Sequence, residues 1–343
     1  MSETETSEEI GPGKDEFEEI RPEPDKYRKL IRRANKRISR WKAPLIVADE
    51  LWERVTEAFL DVYFQHENPV KRPVNLAVYG NTDTGKTTYF DHFIPALREE
   101  ERLDRFGIIQ ISCYTNSTLK GLYQAMLDEL DWKYSKHDSI QYLEGLLRKA
   151  VIKRRCQLIV IDEFSQLITK TTADGEIKSQ QPEARQAEIL KALRNIPIQT
   201  LCPLVIIGTR DILRLLEKDS QTNNRFLKVE FPRFELGWGN WILFQKTIAA
   251  LDAKLRVDTG IISDFAQKMT ILAKLYQESK GKMGSLIKIY ELAVKLALKN
   301  GKKPLNSSLI DKAVKILNQN HLLHDDDPVI VDIPENWWKT DPN

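Results

Sequence analysis

Apolar positions along the chain follow two patterns. Short continuous apolar runs occur at VNLAVY (74–79), FGIIQIS (106–112), QLIVID (157–162), PLVIIG (203–208) and FLKVEF (226–231). Between them lie longer stretches whose apolar residues recur at helical spacing, at about 48–65, from Thr87 onward, and at 119–130, 139–154, 182–195 and 211–218. A strand that is apolar at every position is buried on both faces, so runs of this kind separated by helices predict a parallel sheet covered by helices on each side. From Trp238 the pattern turns purely helical, with helices predicted at 238–254, 261–279, 284–299 and 306–319. The Gly and Pro of LALKNGKKPLN mark one loop among them. No internal repeat is evident. The fold class is therefore α/β, with a parallel central sheet flanked by helices and a C-terminal all-helical unit.

Composition changes this picture little. The 343 residues are 41% hydrophobic and 30% charged, as in an ordinary globular protein with a sizeable core. No apolar run reaches the roughly eighteen residues that span a bilayer, and MSETETSEEI lacks the features of a signal peptide. Cys113, Cys156 and Cys202 are far apart and each adjoins an apolar run, which reads as reduced core thiols and a cytoplasmic location. The histidines show no zinc spacing, and His321 and His324 read as a solvated helix end.

Charge is informative at the N-terminus. Residues 1–25 carry ten acidic and two basic side chains and are expected to be disordered. Residues 26–42, KYRKLIRRANKRISRWK, carry nine basic side chains and no acidic one, and their apolar residues repeat at helical spacing. That is a basic amphipathic helix, either the solvated face of a docked element or an arm for a polyanion or partner. The C-terminal stretch HDDDPVIVDIPENWWKTDPN is acidic and broken by prolines, and reads as a flexible tail. These shifts divide the chain into 1–25, N-terminal helices at 26–70, an α/β core at 71–236, a helical lid at 237–320 and a tail at 321–343.

The chemistry begins at GNTDTGKT (80–87), between a predicted strand and a predicted helix. Gly80 and Gly85 let the backbone curl so that successive N–H groups of Asn81, Thr82, Asp83 and Thr84 face phosphate oxygens, and the helix that follows adds a partial positive charge. Lys86 is placed for the β- and γ-phosphates of ATP, the Thr87 hydroxyl for Mg²⁺, and Thr88 continues the helix start. The strand in LIVIDEF (158–164) ends in Asp162, a carboxylate suited to the magnesium, and Glu163 is one step beyond, where a base for the attacking water belongs.

The Asp-Glu pair, the intervening FGIIQIS strand and the helical C-terminal region together resemble the AAA+ ATPases, P-loop NTPases with a helical lid. That resemblance implies that Thr209, after PLVIIG, is the polar sensor of the γ-phosphate. It also implies that Arg225, in SQTNNRF, is an arginine finger acting on a neighbouring subunit, and hence an oligomer. One departure stands out: the lid-helix start GKMGSLIKIYELA has Ser285 where the superfamily carries an arginine, with Lys288 one turn further on.

IVIDEFSQL, VIIGT with its leucine-rich helix, NNRF and GKMGSLIKIYELAVKLAL make residues 45–320 most similar to the TnsC/TniB transposition regulators, including those of CRISPR-associated transposons. The resemblance implies ATP-dependent rings or helical filaments around double-stranded DNA that link a target-selection protein to the transposase and come apart on hydrolysis. It further implies DNA contacts in SCYTNSTLKG and WKYSKHDS, which offer Thr118, Lys120, Lys133, Ser135 and Lys136, groups suited to phosphate oxygens rather than to reading bases. A helicase loader or replication initiator of the same superfamily, and a nucleotide-gated adaptor with negligible hydrolysis, remain as alternatives.

Overall fold

The computed structural model describes residues 49–67, 72–114, 117–171, 177–180, 182–235, 238–299, 301 and 304–323. The acidic N-terminus, the basic helix at 26–42 and the tail from 324 onward lie outside the described residues. The chain opens with α1 (Asp49–Tyr63), β1 (Asn75–Tyr79), α2 (Lys86–Glu100), β2 (Ile108–Ser112), α3 (Leu119–Glu129), α4 (Ile140–Arg154) and β3 (Leu158–Asp162). After a one-turn α5 (Ser165–Ile168) come β4 (Thr169–Thr171), β5 (Ile177–Gln180), α6 (Glu183–Thr200), β6 (Leu204–Gly208), α7 (Asp211–Leu216), α8 (Ser220–Asn223) and β7 (Phe226–Glu230). The lid is α9 (Trp238–Thr259), α10 (Met269–Ser279), α11 (Met283–Lys299) and α12 (Ser307–Gln319).

Five strands form a parallel sheet in the order β2-β3-β6-β1-β7. The apolar runs predicted as strands are these strands. Alternate residues of each run serve opposite faces: Leu76, Val78, Leu158, Val160, Val205 and Ile207 join one core with α1, α2 and the lid. Ala77, Ile159, Ile161, Leu204 and Ile206 join the other, with α3, α4, α6 and α7. Each fully buried Leu, Ile or Val contributes about 1.5–3 kcal/mol, so a strand apolar on both faces belongs in the middle of such a sandwich.

The short antiparallel pair β4–β5 is not anticipated by the apolar pattern, because TKT and IKSQ are mostly polar. The helix predicted from 261 begins later. Residues 260–264 are irregular, Phe265–Gln267 form a single 3₁₀ turn, and α10 starts at Met269. The buried Asp252 carboxylate explains the break: it accepts hydrogen bonds from the Ala266 N–H at 3.0 Å and from the Ser263 hydroxyl, groups that a continuous helix would not present to it.

Candidate functional site

Sheet order decides which loops meet. β6 lies between β3 and β1, with Ile161 opposite Ile206 and Tyr79 opposite Gly208, so the C-terminal ends of the three strands are level. The N–H of Gly80 donates to the Gly208 carbonyl at 3.1 Å, and the N–H of Phe164 donates to the Ile207 carbonyl at 2.8 Å. The glycine loop, the Asp162–Glu163 step and Thr209 thus emerge side by side at one edge of the sheet. This is where open α/β sheets bind ligands.

The loop needs its glycines for different reasons. Gly85, the N-cap of α2, has φ 98°, a left-handed conformation open to glycine. At Gly80 a Cβ would come within 2.8 Å of the Phe231 carbonyl oxygen. Asp83 and Glu163 adopt left-handed backbone conformations without being glycine, at φ 63° and φ 52°. Strain of this kind persists where surrounding structure holds it, and it collects at functional sites.

Lys86 is buried, and its ammonium donates to the carbonyls of Gly80 at 2.9 Å and Asn81 at 2.7 Å and to the Thr84 hydroxyl at 3.3 Å. Burial lowers its pKa to about 8, against the opposing pull of Glu163, Asp162 and Asp83, while Lys282 pushes it further down. Lys282 is itself fully buried at the start of the lid helix α11. The sequence does not mark it, because a lysine between Gly281 and Met283 carries no pattern that distinguishes it from a solvated one.

Asp162 is 1% exposed. Its Oδ1 accepts the Glu163 N–H at 2.7 Å, its carboxylate also accepts a hydrogen bond from Thr87, and its buried Oδ2 has no hydrogen-bond partner among the described residues. Burial raises the Asp162 pKa, which these hydrogen bonds partly offset. A hydroxyl, a carboxylate and an unsatisfied carboxylate oxygen make an all-oxygen donor set of the kind that suits a hard divalent cation such as Mg²⁺. Glu163 also has a raised pKa, through burial and then through the neighbouring Asp162 charge.

Thr82, Asp83, Gly85, Lys86, Thr87, Thr88, Glu163 and Thr209 line one pocket of about 700 Å³. Its far wall comes from segments that no motif marks. Trp52 and Thr56 of α1, Tyr89 and Phe93 of α2, and Met283, Gly284 and Ile287 of α11 enclose it. The Thr56 and Tyr89 hydroxyls are hydrogen-bonded at 2.5 Å, and Tyr89 stacks on Phe93 with ring centroids 5.4 Å apart, so the wall is aromatic and ordered. Ser285 is buried within α11, and Lys288 pairs with Asp83 at 2.6 Å.

Arg225 is not part of this pocket. It precedes β7, at the end of the sheet opposite the glycine loop, about 17 Å away along a five-residue strand. Its carbonyl accepts the Asn75 N–H at 2.8 Å, and its buried Nη1 has no hydrogen-bond partner among the described residues.

Thr118 is exposed, and its hydroxyl caps α3 by accepting the Gly121 N–H at 2.9 Å, which gives it a structural role. Lys120 is half-buried, and Lys133, Ser135 and Lys136 are exposed. Arg154, at the end of α4, donates to the Leu130 carbonyl at 2.9 Å, so α3 and α4 end together and residues 131–139 return along the pair. Lys133, Ser135 and Lys136 lie on that exposed connection between α3 and α4.

The family model for the bacterial TniB protein matches residues 37–236. None of the curated proteins matches the chain. Among solved structures, the chain is similar to the Aeropyrum pernix ORC2 protein in its ADPNP–ADP complexes, with a TM-score of 0.57 and 15% identity over 79% of this chain and 70% of that one. It is also similar to the Aeropyrum pernix ORC1 protein in complex with DNA, with a TM-score of 0.57 and 15% identity over 80% of this chain and 66% of that one. Drosophila ORC bound to DNA matches with a TM-score of 0.54 and 14% identity, over 89% of this chain and 70% of that one. Identities this low establish the fold, an AAA+ P-loop architecture with a C-terminal helical region. Among the described residues no helix is long and apolar enough to cross a membrane.

Proposed function

The chain belongs to the bacterial TniB family, and on that footing we propose that it is an ATP-dependent, DNA-binding regulator of DNA transposition. In this reading it assembles with ATP as a ring or filament on duplex DNA, links a target-selection protein to the transposase, and disassembles on hydrolysis. The observation that carries the nucleotide half is the level alignment of three strand ends. It brings Lys86, Glu163 and Thr209 around one pocket roofed by the lid, with Asp162 buried just behind them and hydrogen-bonded to Thr87.

The division of labour follows from each group's surroundings. The backbone N–H groups of residues 81–85 and the N-terminus of α2 receive phosphate oxygens. Lys86 exchanges its bonds to the Gly80 and Asn81 carbonyls for the β- and γ-phosphates. Thr87 and Asp162 would hold Mg²⁺, which when bound neutralises phosphate charge and leaves the γ-phosphoryl group more electrophilic. Glu163 orients the attacking water and takes its proton, a role that a raised carboxyl pKa favours. Thr209 senses the γ-phosphate or the water. Arg225, a strand length from its own pocket, suits contact with a neighbouring subunit's nucleotide.

Ser285 favours a second reading, a nucleotide-gated adaptor with negligible hydrolysis, because the lid helix brings no arginine to the pocket at that position. The test of the proposal is binding to fluorescent duplexes of unrelated sequence with ATP, with ADP and without nucleotide, followed by reconstituted transposition. Binding and assembly that need ATP, ignore sequence and support transposition are the expected result. Equal DNA binding without nucleotide, or transposition that proceeds unchanged without this protein, contradicts it.

A further inference from the structure

Lys288, on the second turn of α11, lines the same pocket as Lys86 and Thr87, and its ammonium is paired with the phosphate loop. Its Nζ lies 2.6 Å from Asp83 Oδ2 and donates to the Leu322 carbonyl at 3.1 Å. Asp83 is held a second time by the same helix, since its carbonyl accepts the Gly284 N–H at 2.6 Å. That approach requires glycine, because a Cβ at Gly284 would lie 2.7 Å from the Asp83 carbonyl oxygen. The lid therefore grips one loop residue by both backbone and side chain.

A carboxylate within a loop built for anions is an electrostatic liability. Asp83 lines the same pocket as Lys86, Thr87 and Glu163, so its charge faces whatever anion enters there. Side chains that are 33% and 16% exposed make an ion pair of modest direct value to stability, about 1 kcal/mol or less. What the pair changes more is the field in the pocket, since a carboxylate cancelled by an ammonium at 2.6 Å no longer opposes an incoming polyanion.

We propose that Lys288 is a positioning residue of the nucleotide site, which neutralises the Asp83 carboxylate and locks the phosphate loop to the lid in the form that accepts a triphosphate. This rests on the nucleotide reading above and deepens it. It assigns Lys288 a role through Asp83, distinct from direct contact with the γ-phosphate. The bond to the Leu322 carbonyl makes the end of the lid part of the same connection.

The test is equilibrium binding of ATP and ADP to the parent protein, Lys288→Met, Lys288→Arg, Asp83→Asn and the double variant Asp83→Asn/Lys288→Met. Lys288→Met should weaken ATP binding about tenfold and ADP binding less, because ADP carries less charge. Lys288→Arg should retain most of the affinity, and Asp83→Asn alone should tighten ATP binding. The double variant should return to within about twofold of the parent, because removing both charges leaves the loop with the same net charge as the cancelled pair. Binding by Lys288→Met within about twofold of the parent overturns the proposal, as does a double variant as weak as Lys288→Met, the signature of direct phosphate contact. Should Lys288→Met fail to fold, Asp83→Asn decides alone, and looser ATP binding by it contradicts the proposal. A parent protein that binds no ATP defeats the nucleotide reading itself and this inference with it.

Discussion

The Ser165 hydroxyl oxygen accepts hydrogen bonds from both the backbone N–H of Thr209, at 2.7 Å, and the Thr209 hydroxyl, at 2.9 Å. Ser165 stands two residues past Glu163, so this contact fastens the acidic turn after β3 to the end of β6. The packing is close enough that a Cβ on Gly208 would lie 2.5 Å from the Ser165 oxygen. With Asp211 also within 3.1 Å of the Thr209 hydroxyl, Thr209 is held by two polar groups from different elements.

Ser165→Ala removes the acceptor and leaves the Thr209 N–H unpaired, a cost of about 1–3 kcal/mol. The expected outcome is a fall in ATP turnover of about tenfold with little change in ATP affinity, because the loop and Lys86 are untouched. Thr209→Val should produce a similar fall, and the double variant should be no worse than the more damaged single one. Steady-state kinetics with a nucleotide-binding titration check this, and a purely additive double variant would uncouple the two residues.

Gly284→Ala places a methyl group against the Asp83 carbonyl, forcing the lid and the loop apart. Destabilisation of about 1–3 kcal/mol is expected, together with weaker nucleotide binding, because α11 can no longer seat on the loop. Thermal unfolding with and without ATP measures both. A parental midpoint with a parental nucleotide-induced shift would show that the close approach is dispensable.

Arg225→Ala is expected to bind ATP normally and to hydrolyse it poorly, since the residue stands at the opposite end of the sheet from its own pocket. Mixing it with Lys86→Ala subunits should recover part of the activity, with each variant supplying what the other lacks across an interface. Mixtures no more active than their separate components would argue against action in trans.

If Lys120, Lys133 and Lys136 contact phosphates, replacing Lys120 and Lys136 together with alanine should lower DNA affinity equally on all sequences. It should also flatten the dependence of binding on salt by about two units of log–log slope. Anisotropy titrations across a salt series read this directly, and an unchanged slope would relocate the DNA surface.

Much of this architecture can be read from the chain because the central strands β1, β3 and β6 are apolar at consecutive positions, as strands of a parallel sheet covered on both faces are. The site is legible for a related reason: Gly85 and Lys86 must follow a strand and open a helix, and Asp162 must end one, so pattern and chemistry confirm each other. Contacts between distant segments are less visible. Trp52 and Thr56 read as an ordinary amphipathic face, and only the fold brings α1 against α2 to wall the pocket. Lys282 carries no periodic signal, and its burial beside the loop follows from how the lid folds back. The pair β4–β5 is short and polar, so it leaves no hydrophobic trace.

The most direct test of the account compares ATP binding and single-turnover hydrolysis in the parent protein, Lys86→Ala and Glu163→Gln. The proposed roles, Lys86 holding phosphate in the ground state and Glu163 acting on the attacking water, require the two losses to differ in kind. Lys86→Ala should lose ATP binding. Glu163→Gln should bind ATP as the parent does, hydrolyse it at least about a hundredfold more slowly, and accumulate the assembled form. Hydrolysis by Glu163→Gln at the parental rate, or undiminished ATP binding by Lys86→Ala, would contradict the site described.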